Sequence, residues 1–195
     1  MKKAGCYSVG LGVESGNQAI LNNNRKRLDL LVVEKVLLDL KRTGIRSYGF
    51  FILGLPGETH QTIRETIDFA KKNPFDRAWF NILTPYPGSE IFDNWVEGRS
   101  IVNIDWDSHD CSTGVMNSVE LSTKELENYQ RRAAWEFYLR PRILLDLITR
   151  MGFKQVITLM MTRFFKKSFN ILYGTIHSLV RRRRNAENRQ GNRGL

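Results

Sequence analysis

Three short apolar runs, each breaking at its carboxyl end into small or polar residues, organise the first ninety positions of this chain. Cys6 to Val13 runs into Glu14-Ser15-Gly16-Asn17, Ser47 to Leu53 into Gly54-Leu55-Pro56-Gly57-Glu58, and Ala78 to Leu83 into Thr84-Pro85-Tyr86-Pro87-Gly88. Runs of this length, rich in Val, Ile and Phe, predict parallel strands that open into ligand-facing loops. Helical periodicity fills the gaps. A helix is predicted from about Leu30 to Thr43, with Asp29 as its N-cap and Gly44 as its C-terminal cap. Another covers Thr59 to Lys72, where Ile63, Ile67 and Ala70 recur at helical spacing until Asn73-Pro74 stops it. A short third helix carries Ile91, Phe92 and Trp95. Strand and helix alternating at this pitch call for parallel strands joined by right-handed crossovers, as in an α/β barrel or a doubly wound sheet.

Further along, Ser122-Thr123-Lys124-Glu125 reads as a capping box that opens a helix to about Arg140, with an apolar stripe of Leu126, Tyr129, Ala133 and Phe137. Pro141 ends or restarts it. The three strand-helix units fill about the first hundred residues, whereas a complete eight-stranded barrel takes about 250. The expected fold is therefore α/β: a partial parallel (β/α) barrel of three βα units followed by a helical C-terminal extension. The expected divisions are 1–97 for the barrel units, 98–140 for a linker and completing helix, 141–184 for basic amphipathic helices and 185–195 for a disordered tail. A three-stranded parallel sheet leaves its edges exposed and lacks helices for both faces, so another chain or segment is expected to complete it. The opening KKAG, immediately before a strand, reads as the end of a helix.

Composition changes the picture in one respect. The chain has 195 residues, 42% of them hydrophobic, which suffices for a core and excludes disordered or collagen-like classes. Its net charge of +10 resides in the C-terminal segment, where residues 140–195 hold thirteen Lys or Arg against Asp146 and Glu187. The preceding residues are almost neutral. From Ile143 to Val180 apolar residues recur at helical spacing between Arg150, Lys154, Arg163, Lys166 and Lys167, as in helices that lie on an anionic membrane or pack on the barrel. No stretch reaches about 18 uninterrupted apolar residues, so no spanning helix is predicted. Arg181 to Arg184 has no interleaved aromatics, which argues against nucleic-acid binding. Cys6 and Cys111 lie too far apart for a disulfide framework or a zinc pattern, and no secretory signal opens the chain, so a cytoplasmic location is expected.

The strand-end loops carry the candidate chemistry. Glu14 directly follows a strand, where a carboxylate accepts two hydrogen bonds from vicinal hydroxyls such as those of a ribose, or simply belongs to a solvated turn. Ser15 and Gly16 allow a tight turn. Gly54 to Gly57 admits close approach of a flat ligand to main chain, or forms a plain turn in which Glu58 stabilises a helix N-terminus. His109 is a further candidate ligand, weighed against a structural role.

The segments GLGVESGN, GFFILGLPGET and FNILTPYPGSE resemble the second half of the radical S-adenosylmethionine (SAM) catalytic domain, especially its cobalamin-associated branch. The resemblance covers residues 1–97 and, less specifically, a stretch around Trp106 to Asp110 and the helix from Ser122. It implies that Glu14, with Ser15 beside it, contacts the SAM ribose. Gly49, Phe51, Ile52, Gly54 and Glu58 match a GxIxG-type motif, which implies Ile52 and Gly54 near the adenine. Asn81, Leu83 and Thr84 correspond to the adenine edge, and Arg25, or failing it Lys26, to the methionine carboxylate. Relatives usually read RKG where this chain reads RKRLD. The CxxxCxxC loop that holds the family's 4Fe–4S cluster is not in this sequence. The resemblance thus implies SAM as cofactor, a 4Fe–4S cluster and cobalamin only with an N-terminal part, and an upstream polypeptide or domain supplying the cluster loop. It implies 5′-deoxyadenosyl-radical or methyl-transfer chemistry on a small-molecule substrate, by a chain that is truncated or split and inactive alone. The alternative is a non-catalytic remnant whose basic C-terminal helices bind a membrane surface, at the inner membrane face, or nucleic acid.

Overall fold

The computed structural model describes residues 1–97, 106–117 and 120–158. The chain divides into two compact units, Met1–Leu144 and Leu145–Leu195. In the first unit, strands β1 (Ser8–Glu14), β2 (Arg46–Leu53) and β3 (Arg77–Ile82) form one parallel sheet in the order β1-β2-β3. Helix α1 (Gln18–Asn23) and helix α2 (Leu30–Thr43) connect β1 to β2, and α3 (His60–Lys72) connects β2 to β3. After β3 come α4 (Glu90–Glu97) and α5 (Thr123–Tyr138), and α6 (Pro141–Met151) runs on into the second unit. This is the expected α/β architecture, with three parallel strands alternating with helices before a helical C-terminal part.

The helices start and stop where local chemistry directs. Asp29 caps α2 by accepting from the Leu31 amide, and Gly44 ends it at φ 66°. Thr59 caps α3 through a reciprocal box with Thr62, and Ser122 caps α5 through one with Glu125. Such caps satisfy amides that have no intrahelical partner. Helix α1 was not expected from the sequence. Its signal is Asn17, whose side chain accepts from the Ile20 amide, followed by Ile20 and Leu21, both buried. Before β1, a single 3-10 turn at Lys2–Ala4 ends at Gly5.

Alternation along the strands separates two faces. Val13, Phe51, Leu53, Phe80 and Ile82 are buried. On that face Phe51 meets Phe75 edge-on at 5.6 Å and stacks on Phe80 at 5.3 Å, and Phe80 in turn meets Phe137 of α5 at 6.3 Å. Burying each such ring stabilises the fold by about 2–3 kcal/mol. The opposite face carries Gly10, Gly12, Tyr48, Phe50, Ile52, Trp79 and Asn81, all intermediate or exposed. Helices α3 and α5 are joined by one charge cluster. Glu136 accepts from Arg64 at 2.8 Å, Lys71 at 2.7 Å and Arg132 at 2.7 Å. Burial opposes its negative charge, but these three donors outweigh it and hold the carboxyl down at about 2.

In the second unit, the described residues form the end of α6 and a further helical stretch, with Arg150 paired to Asp146 at 2.6 Å. No helix among the described residues is long and apolar enough to cross a membrane. Residues 159–195, which hold most of the expected amphipathic helices and the expected tail, lie outside the described residues. Arg140, the first residue of the basic segment, is part of the first unit. Its guanidinium donates to the Phe137 and Lys71 carbonyls and sits 4.0 Å from the centre of the Phe137 ring.

Candidate functional site at the strand ends

All three strands end at the same border of the sheet, and their loops meet there. Pairing sets Glu14 beside Phe51, Ile52 beside Asn81 and Leu53 beside Ile82. The Leu83 amide donates to the Leu53 carbonyl at 2.8 Å, so pairing continues one residue past β3. Asn24 on the loop after α1 donates to the Pro56 carbonyl at 3.1 Å, tying the first strand-end loop to the second.

Glu14 is the best-defined polar group of this border. A register shift between Gly12 and Glu14 ends the ladder, and Glu14 adopts φ 67°, a left-handed conformation uncommon for a side chain of this kind. The effect is to fold its carboxylate back over the open face of the sheet. A Cβ placed on Gly12 would lie 2.8 Å from Glu14 Oε1 and 3.6 Å from Lys26 Nζ. Lys26 Nζ donates to Glu14 Oε1 at 3.1 Å, with the carboxylate side chain 24% exposed. One oxygen is thus engaged and the group remains open to solvent. The carboxylate fits there because Gly12 has no side chain, and over Gly10 lies the Phe50 ring, whose Cε2 would be 3.0 Å from a Cβ at that position.

The other expected residues divide. Ile52 and Asn81 are register neighbours on the open face, half-buried, and join Glu14 there. Ser15 does not present its side chain to that face. It is fully buried, its hydroxyl paired with Thr66 Oγ1 of α3 at 3.1 Å and accepting from the Asn17 amide at 3.2 Å. Gly16 lies so close to α3 that a Cβ there would fall 2.6 Å from the Thr66 Cα. Arg25 also stands apart. It pairs with Glu90 at 3.3 Å, both side chains well exposed, while its neighbour Lys26 reaches Glu14. Thr84 is buried and its hydroxyl donates to the Ile82 carbonyl at 3.1 Å.

The Gly54 loop differs from both sequence readings. Gly54 has φ 92°, as its glycine suggests, but a Cβ there would meet Leu126 of α5 at 3.1 Å rather than open ligand space. A larger residue would press on α5, not on an adenine. Glu58, expected at most to stabilise the N-terminus of the following helix, is 2% exposed and turns back into its own loop. Its Oε2 accepts from the Gly54 amide at 2.5 Å and from the Leu55 amide at 3.1 Å. Burial pushes its carboxyl up to about 7, against the lowering effect of those two amides. Oε1 is buried with no hydrogen-bond partner. Glu58 therefore holds the loop in shape while poised to carry a proton on Oε1. No local pattern announces this, because its burial depends on packing from elsewhere.

An aromatic floor completes the open face. Phe50 stacks on Trp79 at 5.1 Å, and Tyr48 meets Trp79 edge-on at 5.7 Å. His109 sits with its ring 4.8 Å from Trp106 and 5.9 Å from Tyr86, whose hydroxyl donates to the His109 carbonyl at 2.8 Å. Cys6 and Cys111 form no disulfide, and no group of three or more His, Cys, Asp or Glu among the described residues could hold a metal ion.

A parallel sheet with polar and glycine-rich strand ends converging on one open face defines an α/β protein with a candidate site at the carboxyl border of its strands. Residues 1–70 match the family model described as the Radical SAM superfamily. The matched residues hold β1, β2 and most of α3, so this part of the chain belongs to that superfamily, while β3 lies beyond the match. It is 32% identical over 154 residues to an uncharacterized methyltransferase of Pyrococcus horikoshii, covering 78% of this chain and 34% of the relative. It is 30% identical over 164 residues to bacteriochlorophyllide d C-8(2)-methyltransferase of Chlorobaculum tepidum, covering 78% and 36%. With the anaerobic magnesium-protoporphyrin IX monomethyl ester cyclase of Rubrivivax gelatinosus it shares 30% identity over 135 residues, covering 67% and 24%. The chain thus spans about a quarter to a third of the length of these curated relatives.

The superfamily implies SAM and a 4Fe–4S cluster. The strand ends have the character of a SAM site, with an accessible carboxylate above side-chain-free backbone and an apolar wall beside it. The cluster is a different matter: such clusters are held by several cysteine thiolates, and this sequence has two cysteines, Cys6 before β1 and Cys111 in the loop before α5. The residues of this chain do not fit the cluster.

Proposed function

We propose that this chain forms the ribose and adenine side of a SAM site in a radical SAM enzyme, with the cluster thiolates coming from a further polypeptide segment. The observation that carries the reading is Glu14, bent at positive φ so that its carboxylate lies over Gly12 on the open face with Lys26 on one oxygen. A carboxylate so placed can accept from both hydroxyls of a ribose lying beside it on the open face. Ile52 offers apolar surface to a base, and Asn81, beside it, offers an amide donor and acceptor. Lys26 orients Glu14 and supplies positive charge near a ligand carboxylate, the part first expected of Arg25. When bound, SAM supplies the 5′-deoxyadenosyl or methyl group. The relatives named as methyltransferases support methyl transfer on a small molecule as the reaction of the completed enzyme, with cobalamin as a further cofactor of that larger protein. A cytoplasmic setting suits thiolate-held clusters. The alternative of a remnant acting through its basic C-terminal helices rests on residues 159–195, outside the described residues.

The test is protein-observed NMR on the full chain titrated with SAM, adenosine and 2′,3′-dideoxyadenosine. Shifts at Glu14, Ile52 and Asn81 are expected for the first two. The dideoxy compound should bind about tenfold or more weakly, since leaving a hydrogen-bonding group unpaired costs about 1–3 kcal/mol. Equal affinity for the two nucleosides would remove the ribose contact, as would a Glu14→Gln chain that binds adenosine unchanged.

A further inference from the structure

Glu58 holds the second strand-end loop from within. That loop is wedged between two helices: a Cβ on Gly57 would lie 3.8 Å from Ile20 and Asn23 of α1, one on Gly54 would meet Leu126 of α5, and Leu55 is buried. Its backbone turns through Gly54 and Gly57, both at positive φ. The bonds that keep this shape converge on one residue, whose own amide donates to the Leu55 carbonyl at 2.9 Å while its Oε2 accepts from the Gly54 and Leu55 amides.

One further bond fastens this loop to the first. Asn24 Nδ2 donates to the Pro56 carbonyl at 3.1 Å and to the Ile20 carbonyl at 2.8 Å, and two residues later the Lys26 amide donates to the Leu21 carbonyl at 2.9 Å. Lys26 in turn reaches Glu14. A continuous path of contacts thus runs from Glu58 through Pro56 and Asn24 to the turn that carries Lys26.

The weak point of this path is Glu58 Oε1, buried without a partner. A neutral carboxyl bears such a position at modest cost, whereas a carboxylate does not, because a buried charge needs its lone pairs satisfied. No neighbouring charge offsets it. Helix α1 has no titratable side chain, and the segment after it turns Lys26 to Glu14 and Arg25 to Glu90. At the start of α3, His60 bonds Tyr129 and lies 3.8 Å from Glu125 of α5. Also on α5, Lys124 is exposed and Glu127 accepts from the Gly114 amide. Burial, opposed by the two loop amides, is what acts on the Glu58 proton. An ionised Glu58 is relieved when the loop opens and admits water to Oε1.

We infer that Glu58 is a proton-operated latch: protonated, it keeps the 54–58 loop shut and fastened through Asn24 to the Lys26 turn; ionised, it lets the two strand-end loops loosen together. The inference deepens the proposed function, resting on it only in taking Glu14 and Lys26 to face a ligand, and it gives that border a regulator. The sign follows from burial. With the carboxyl at about 7 in the shut loop against 4.5 when unburied, closure is favoured at low pH and is lost as pH rises through 7. By linkage the closing equilibrium should fall about tenfold between pH 6 and pH 8.

The test is amide hydrogen exchange on the full chain without ligand at pH 6 and pH 8, each rate divided by that of an unfolded peptide at the same pH. Protection of the Gly54, Leu55 and Lys26 amides should fall by about tenfold in wild type and stay constant in Glu58→Gln, which keeps an oxygen for the two loop amides. At both pH values these amides should exchange at least about tenfold faster than that of Ile67 inside α3, the mark of local opening. Asn24→Ala should abolish the response at Lys26 and leave it at Gly54 and Leu55. A wild-type chain with no response overturns the latch, and so does an equal response in Glu58→Gln. Exchange of the three amides at the Ile67 rate also overturns it, because the proton would then act through global unfolding alone. A Lys26 response that survives Asn24→Ala overturns the link between the loops. The wild-type titration is read on its own, so it stands even if a variant fails to fold. Exchange is measured without nucleoside, so a failed latch and a failed nucleotide site are told apart.

Discussion

The charge state of Glu58 should set the pH dependence of stability in the loop that borders the site. The carboxyl is 2% exposed and its folded value stands at about 7, against 4.5 for an unburied glutamate. Between those two values the folded chain holds a proton that the unfolded chain has released. Stability therefore falls as pH rises through that window and stays reduced above it, the sign opposite to that of a salt-bridged carboxylate. At about 1.4 kcal/mol per pKa unit, the loss approaches about 3 kcal/mol. Glu58→Gln removes the titration and keeps an oxygen for the Gly54 and Leu55 amides. Urea unfolding followed by circular dichroism at pH 5, 6, 7 and 8 gives the comparison. The variant should be close to wild type at pH 5 and more stable than wild type at pH 8 by about 2–3 kcal/mol. Subtracting the two curves cancels every other titrating group. Parallel curves would mean that Glu58 is ionised in the folded chain across this range, and the argument from burial would fall.

Other expectations follow from single contacts. Gly16→Ala should destabilise the chain by at least about 2 kcal/mol in the same urea assay, because the new Cβ meets the backbone of α3 at 2.6 Å and neither element can yield cheaply. Gly54→Val should lower stability through its φ of 92° and its collision with Leu126, measured as a reduced urea midpoint; loss of adenosine binding at unchanged stability would contradict this placement. Glu136→Gln should cost about 1 kcal/mol, a modest value because the cluster is partly solvated, and the difference from wild type should vanish as pH falls from 4.5 toward about 2, where the wild-type carboxyl is protonated. Reconstituted anaerobically with iron and sulfide, the chain alone should show no stoichiometric cluster absorbance and form no 5′-deoxyadenosine; a stable cluster on Cys6 and Cys111 would refute the assignment of the thiolates to another segment.

Much of the fold was legible along the chain because its signals are local. Asp29, Gly44, Thr59 and Ser122 mark helix ends through hydrogen bonds that span a few residues, so sequence order alone places them. The three apolar runs identified the strands because burial on the helix-bearing face and the strand period leave a readable composition. Even so, α1 passed unseen, being six residues long with two buried positions. By itself, then, the sequence determined the alternation of strands and helices, the family of the strand-end loops and the two-cysteine limit on cluster binding. Tertiary structure decided which groups meet. Ser15 turned to Thr66, Lys26 rather than Arg25 reached Glu14, Gly54 faced α5, and Glu58 was sealed in its loop. It also decided that one sheet edge is closed by Tyr138 and Gln130, some sixty and fifty residues along the chain from the carbonyls they cap. The physical reason is range: caps and periodicity act over one or two turns of chain, whereas burial, desolvation and edge closure depend on surfaces brought together only when the whole sheet has packed.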